Sequence, residues 1–248
     1  MCYNVSIFKS MSVLEAHFNA AYIEKEEFKP IYHVSSFTIP TLPVITNDKP
    51  DYIQLLNWGL IPFWVKNNNQ MEEIRLKTMN ARAETIYEKP AFRQSAKQNH
   101  CLVLIDGFFE WREFQGSNYP YYIRLKNKKP FALAGLWDSW VNKESDEKFK
   151  TFSIITTNAN PLLEKIHNKK KRMPVILNHE DESLWINNTL EEDEAKKLLI
   201  PFDENELEAY TISKLITNKI RDTNVPEVIK PHNYPELANT DEKQTKLF

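Results

Sequence analysis

The chain has 248 residues, 42% of them hydrophobic, which is enough to bury one sizeable core. Its net charge of −2 and pI near 6.3 exclude a global attraction to nucleic acid, so any such site must be a local basic patch. There is no run of about 18 apolar residues and no basic-then-apolar leader, and the two cysteines, Cys2 and Cys101, make neither a disulfide framework nor a four-ligand metal site. The expectation is a cytoplasmic protein with no membrane contact, metal or cofactor.

The first residues are Met1-Cys2-Tyr3-Asn4. Removal of Met1 leaves an α-amine and a thiol on Cys2, groups that titrate near pH ~8 and ~8.5. Together they can trap an aldehyde as a five-membered thiazolidine. Read alone, the same cysteine also fits a frayed terminus. Residues 12–28 space Val13, Leu14, Phe18, Ala21 and Tyr22 as an amphipathic helix. Pro40 and Pro43 favour extended chain over 32–44, and 51–62 reads as a strand ending in a turn. Weak helical character follows at 66–78, and a short helix at 91–99. Residues 100–111 form an apolar run that ends in a glutamate and reads as one core strand. Strands are expected at 121–125 and 131–140, turning at Asn127-Lys128-Lys129, and at 151–157. A helical turn at 162–166 presents His167. An acidic helical region spans 180–200 and a last strand 208–213.

The only glycines are Gly59, Gly107, Gly116 and Gly135, too few and too scattered for a phosphate-cradling loop. Their strand-like surroundings mark them as corners of a folded-over sheet. Neither repeat nor linker precedes residue 235, so residues 1–235 read as one α+β domain and 236–248 as a polar, flexible tail.

In order, the chain carries MCYN at 1–4, WGLIPFW at 58–64, NARAET at 80–85, GFFEW at 107–111, AGLWD at 134–138, TTNAN at 156–160, and IH followed by RMPVIL within 166–177. This set resembles the SRAP family, the SOS-response-associated peptidase family of abasic-site processing proteins, over Cys2 to about residue 230. The resemblance implies a monomer with a barrel-like, mainly antiparallel sheet core flanked by helices. It also implies that Met1 is removed and that Cys2 crosslinks to abasic sites in single-stranded DNA through a thiazolidine, shielding the lesion, with autopeptidase and lyase activity possible in such a site. Cys2, Asn80, Glu110 and His167 match the catalytic set. Asn80 would place the amine and sugar, although a turn asparagine reads the same way. Glu110, at the end of an apolar strand, would be desolvated and shuttle protons, unless it serves a structural pair with Arg82 or Arg112. His167 would pass protons near neutral pH. Asn4, Trp64, Arg82 and Arg172 match DNA-contact positions, whereas Trp58, Trp111 and Trp137 read as core.

Three departures stand out. Tyr3-Asn4 replaces a common Gly-Arg whose arginine contacts DNA. His33 lies in Tyr32-His33-Val34-Ser35-Ser36, where the family has Tyr-Asn-Val-Ala-Pro, and no role is assigned to it. The loop between His167 and Arg172 is longer by three residues and carries Lys169, Lys170 and Lys171. Separately, Gln244, Leu247 and Phe248 resemble the Gln-x-x-Leu-Phe peptide that docks on the replication sliding clamp. Two other functional classes remain open: a cysteine peptidase using Cys2, Glu110 and His167, and a non-covalent single-stranded DNA-binding module.

Overall fold

The computed structural model describes residues 2–24 and 27–237, so the clamp-like residues Gln244, Leu247 and Phe248 lie outside the described residues. The elements run β1 (Asn4–Ile7), α1 (Met11–Phe18), β2 (Ala21–Tyr22), β3 (Ile31–Ser35), β4 (Thr41–Thr46), β5 (Lys49–Trp58), α2 (Asn68–Arg75) and β6 (Asn80–Arg82). Next come α3 (Ser95–Gln98), β7 (His100–Ile105), β8 (Gly107–Phe114), β9 (Ser117–Leu125), β10 (Phe131–Val141) and β11 (Lys148–Asn158). The chain continues through α4 (Pro161–Ile166), β12 (Arg172–Pro174), α5 (His179–Trp185), α6 (Glu192–Leu198) and β13 (Leu207–Thr211).

The most apolar strands make a closed barrel. β11, β10, β7, β4 and β5 pair antiparallel in that order. A short parallel pairing of β5 with β11, Asn57 opposite Thr151 and Trp58 opposite Phe152, then closes the ring. Every residue of β7 is buried, as expected of a strand covered on both faces. β6 and β12 add to β11, and β2 to β5. An antiparallel sheet in the order β13-β9-β8-β1-β3 packs beside the barrel. The architecture is α+β, with a barrel and a mainly antiparallel sheet.

Four element readings are corrected. Residues 100–111 are two strands in different sheets, parted at Asp106. Its buried carboxylate Oδ2 accepts the backbone N–H groups of Phe8 at 2.6 Å and Lys9 at 2.9 Å, so the chain must leave the ladder there. Gly107 is required just beyond, because a Cβ would lie 2.4 Å from the Tyr122 phenol. The helix over 12–28 stops at Phe18, capped by Asn19 in the left-handed region (φ 49°), and Ala21–Tyr22 pair with β5 instead. The acidic stretch breaks into α5 and α6, and buried Trp185 anchors the end of α5 by donating to the Cys101 carbonyl at 3.1 Å. Gly135 is not a corner. It sits mid-strand in β10, where a Cβ would come within 2.8 Å of Cys101 Sγ.

Candidate active site

β1 lies between β3 and β8, which brings the start of the chain beside Glu110 on β8. The short helix α4 supplies the histidine. Asn160 caps it by accepting from Leu163 N at 2.8 Å, Pro161 sits in the first turn, and His167 ends it with its N–H on Leu163 O at 2.7 Å. Tyr3, Asn4, Glu110, Trp111, His167, Lys169 and Lys170 line a cleft of about 230 Å³. Hollows of about 360 and 520 Å³ lie elsewhere, but their walls hold neither cysteine nor histidine, so size does not locate the chemistry.

His167 Nδ1 lies 2.8 Å from the Arg172 carbonyl. A carbonyl only accepts, so Nδ1 carries the proton and the lone pair of the neutral ring is on Nε2. Glu110 Oε1 stands 3.6 Å from the same Nδ1. That is ion-pair spacing, yet burial lowers His167 to about 4 and raises Glu110 to about 7. Between these two values both groups are uncharged, and only above the higher one does the carboxylate form. The pair is an acid beside a neutral imidazole rather than a salt bridge. Cys2 is fully buried, and burial first, then the charge of Glu110, pushes its thiol well above its ordinary range.

Asn4 and His33 meet. His33 Nε2 is 3.0 Å from Asn4 Oδ1, and its Nδ1 is 2.7 Å from Thr223 Oγ1. Burial lowers His33 to about 4, so the ring is neutral. With Nε2–H donating to the amide oxygen, Nδ1 accepts the threonine hydroxyl. His33, passed over in the sequence, is therefore the residue that orients Asn4. The signal available was that both positions depart from the same family pattern.

Asn80 is buried on β6, opposite Ile154 of β11, and both atoms of its amide lack hydrogen-bond partners among the described residues. No hydrogen bond among those residues ties it to Cys2, Glu110 or His167. Arg82 is exposed on the same strand. Trp64 is 37% exposed and Phe63 57%, on a loop held by Asp138 Oδ2 accepting from Phe63 N at 3.0 Å and by Trp140 Nε1 donating to Val65 O at 2.7 Å. Trp111, read as core, is only partly buried and lines the cleft.

Arg172, expected from the resemblance to contact DNA, is turned inward. Its side chain is 5% exposed, and its guanidinium is committed to Glu84, to Thr156 O at 2.5 Å and to Asn158 Oδ1 at 3.2 Å. Both terminal nitrogens of the fork are engaged, and Nε, which has no partner among the described residues, is buried away from any ligand. The role its geometry supports is to seat β12 so that its carbonyl holds His167.

The family model for SOS response associated peptidase (SRAP) matches residues 1–219. The chain belongs to the SRAP family. Abasic site processing protein YoqW of Bacillus subtilis is 36% identical to this SRAP chain, over 94% of it and 100% of that protein. Abasic site processing protein HMCES of Rattus norvegicus is 31% identical over 71% of this chain and 56% of its own length. A crystal structure of a Bacteroides thetaiotaomicron protein superposes with a TM-score of 0.86 at 38% identity, covering 94% of this chain and all of that one. The SRAP fold is therefore shared across nearly the whole described chain.

Proposed function

We propose that this SRAP protein processes abasic sites in DNA by capturing them covalently in single-stranded DNA through Cys2. The observation that carries the reading is the Glu110–His167 pair, 3.6 Å apart on the wall of a cleft next to a cysteine whose thiol feels the Glu110 charge. The names of the relatives, abasic site processing proteins, point to the same substrate.

The chemistry balances without a cofactor. Water hydrolyses the Met1–Cys2 peptide bond and frees the Cys2 amine. That amine attacks C1′ of the ring-opened deoxyribose, giving a carbinolamine. Glu110, half-protonated near pH 7, can donate the proton with which the hydroxyl leaves as water, giving an iminium ion. The Cys2 sulfur then bonds to the iminium carbon, and the nitrogen keeps the electron pair of the broken π bond. Because burial holds the thiol protonated, the proton must be removed as the S–C bond forms, and the Glu110 carboxylate left by the preceding step, whose charge reaches the thiol, is the stronger base for that purpose. The sum is aldehyde plus amine plus thiol giving thiazolidine plus water.

A peptidase acting on external peptides would use the same buried Cys2 thiol, and it is less well supported because the relatives are named for abasic sites rather than for peptide substrates. Asn4, Trp64 and Arg82 remain the proposed DNA contacts, Asn80 the proposed partner of the amine and sugar, and Gln244, Leu247 and Phe248 a proposed clamp-docking peptide. Deleting residues 244–248 should abolish clamp binding in a pull-down; unchanged binding dismisses that role.

Intact-mass measurement after mixing with abasic single-stranded DNA tests the main reading. The expected result is a stable adduct, one water lighter than the sum of its parts, absent from Cys2→Ala and from protein that retains Met1. Glu110→Gln should slow adduct formation about 10²-fold or more. An adduct that survives Cys2→Ala overturns the mechanism.

A further inference from the structure

The loop between His167 and Arg172 is not a loose basic tether. Lys171 N donates to His167 O at 2.8 Å and Lys171 O accepts from Ala159 N at 3.1 Å, closing the loop into a single turn, with Lys171 in the left-handed region at φ 49°. Asn168 clips that turn to β8 by two bonds to one residue. Its Oδ1 accepts from Glu113 N at 3.1 Å and its Nδ2 donates to Glu113 O at 2.8 Å.

The three lysines are thereby distinguished. Lys169 is ion-paired with Glu113, and Lys171 with Glu164 at 3.2 Å. Lys170 makes neither ion pair nor hydrogen bond among the described residues, and it lines the cleft together with Asn4, Glu110 and His167. It stands close enough for its charge to oppose the burial-driven rise of Glu110 and to add to the lowering of His167. With Glu113 engaged by Lys169, Lys170 is the cation of the cleft left for a ligand anion. Asn4, on the same wall, is uncharged.

We propose that the Asn168–Glu113 clip presents Lys170 to a DNA phosphate lying across the cleft, so that the inserted loop supplies the positive charge that Asn4 does not. The inference rests on the reading of the cleft as a single-stranded DNA site. It assigns one phosphate contact to one of three adjacent lysines, which a merely solvated basic loop would not do.

The test is a salt series of binding constants for the full chain, with a single-stranded oligonucleotide carrying a tetrahydrofuran in place of the abasic sugar. That analogue cannot open to an aldehyde, so binding is measured apart from crosslinking. Each phosphate contact to a single strand contributes about −0.7 to the slope of log K against log salt. Lys170→Ala should make the slope shallower by about that amount and weaken binding about 5- to 10-fold at low salt, while Lys170→Arg restores both. Lys169→Ala and Lys171→Ala should leave the slope unchanged. Asn168→Ala should reproduce the Lys170→Ala slope, and the double variant should be no worse than Lys170→Ala alone. Melting curves accompany each variant, and the exposed Lys170 side chain predicts an unchanged midpoint for Lys170→Ala. An unchanged Lys170→Ala slope, or equal losses at all three lysines, overturns the assignment while leaving the DNA reading intact. Failure of the unsubstituted chain to bind the oligonucleotide overturns both.

Discussion

Glu110 is 4% exposed, so its ionisation is charged against the folded state. Its folded value, about 7, lies above its unfolded value near 4.5. Between the two, the folded chain holds more protons than the unfolded one, so its contribution to stability is present at low pH and is lost as pH rises through 7. Glu110→Gln, uncharged throughout, should remove a fall on the order of 3 kcal/mol between pH 5 and 8, read as converging urea midpoints. His167 acts in the opposite sense. With its folded value lowered to about 4, stability falls as pH drops from 6.5 towards 4. The Asn4–His33–Thr223 chain makes a second expectation at this scale. Asn4→Ala and His33→Ala should weaken single-stranded DNA binding to a similar extent, and the double variant should be no weaker than either, a coupling of about 0.5–1.5 kcal/mol. Additive losses would mean that His33 serves only the packing against Phe109. Neither residue names the other in the sequence. They meet because β1 and β3 pair with Val5 opposite Val34, a register set by the sheet.

At the scale of the element, α4 was legible. Asn160 followed by Pro161 is a helix-start signal, and the apolar Leu163 and Ile166 give it a face to bury. The strand over 100–111 was not, because seven buried residues, 100–106, run straight into Gly107 and only the long-range bonds that Asp106 accepts from Phe8 and Lys9 show where the chain changes sheets. β12 shows a similar limit. Arg172 has the charge of a DNA contact, but pairing with β11 turns it inward onto Glu84 and Thr156. Arg172→Ala should therefore destabilise the chain by about 1–3 kcal/mol in urea unfolding, chiefly by leaving the buried Thr156 carbonyl without its donor. It should not change the salt dependence of DNA binding, the opposite of the signature expected for Lys170.

At the scale of the molecule, the barrel depends on the closeness of its strands. Gly135 pairs with Cys101 of β7 and Ile154 of β11, and an added Cβ would sit 2.8 Å from the Cys101 sulfur and 3.1 Å from the Ser153 carbonyl. Backbone on one side cannot yield, so Gly135→Ala should lower stability by about 1–3 kcal/mol, measurable as a lower thermal midpoint. Amide exchange should be slowest in β7, β10 and β11, whose buried ladders open only with global unfolding.

By itself, the sequence determined the chemical repertoire: an aminothiol latent at Cys2, a glutamate at the end of an apolar run, a histidine after a capped helical turn, and too few glycines for a phosphate loop. Those are properties of residue type and near-neighbour spacing, which local physics decides. Tertiary structure decided which charges are spent and which remain. Arg172 and Lys170 are both cations near His167, and only long-range pairing gives one to Glu84 and leaves the other at the mouth of the cleft. A side chain's charge is written in the sequence, but its partner is chosen by strands that meet across the fold.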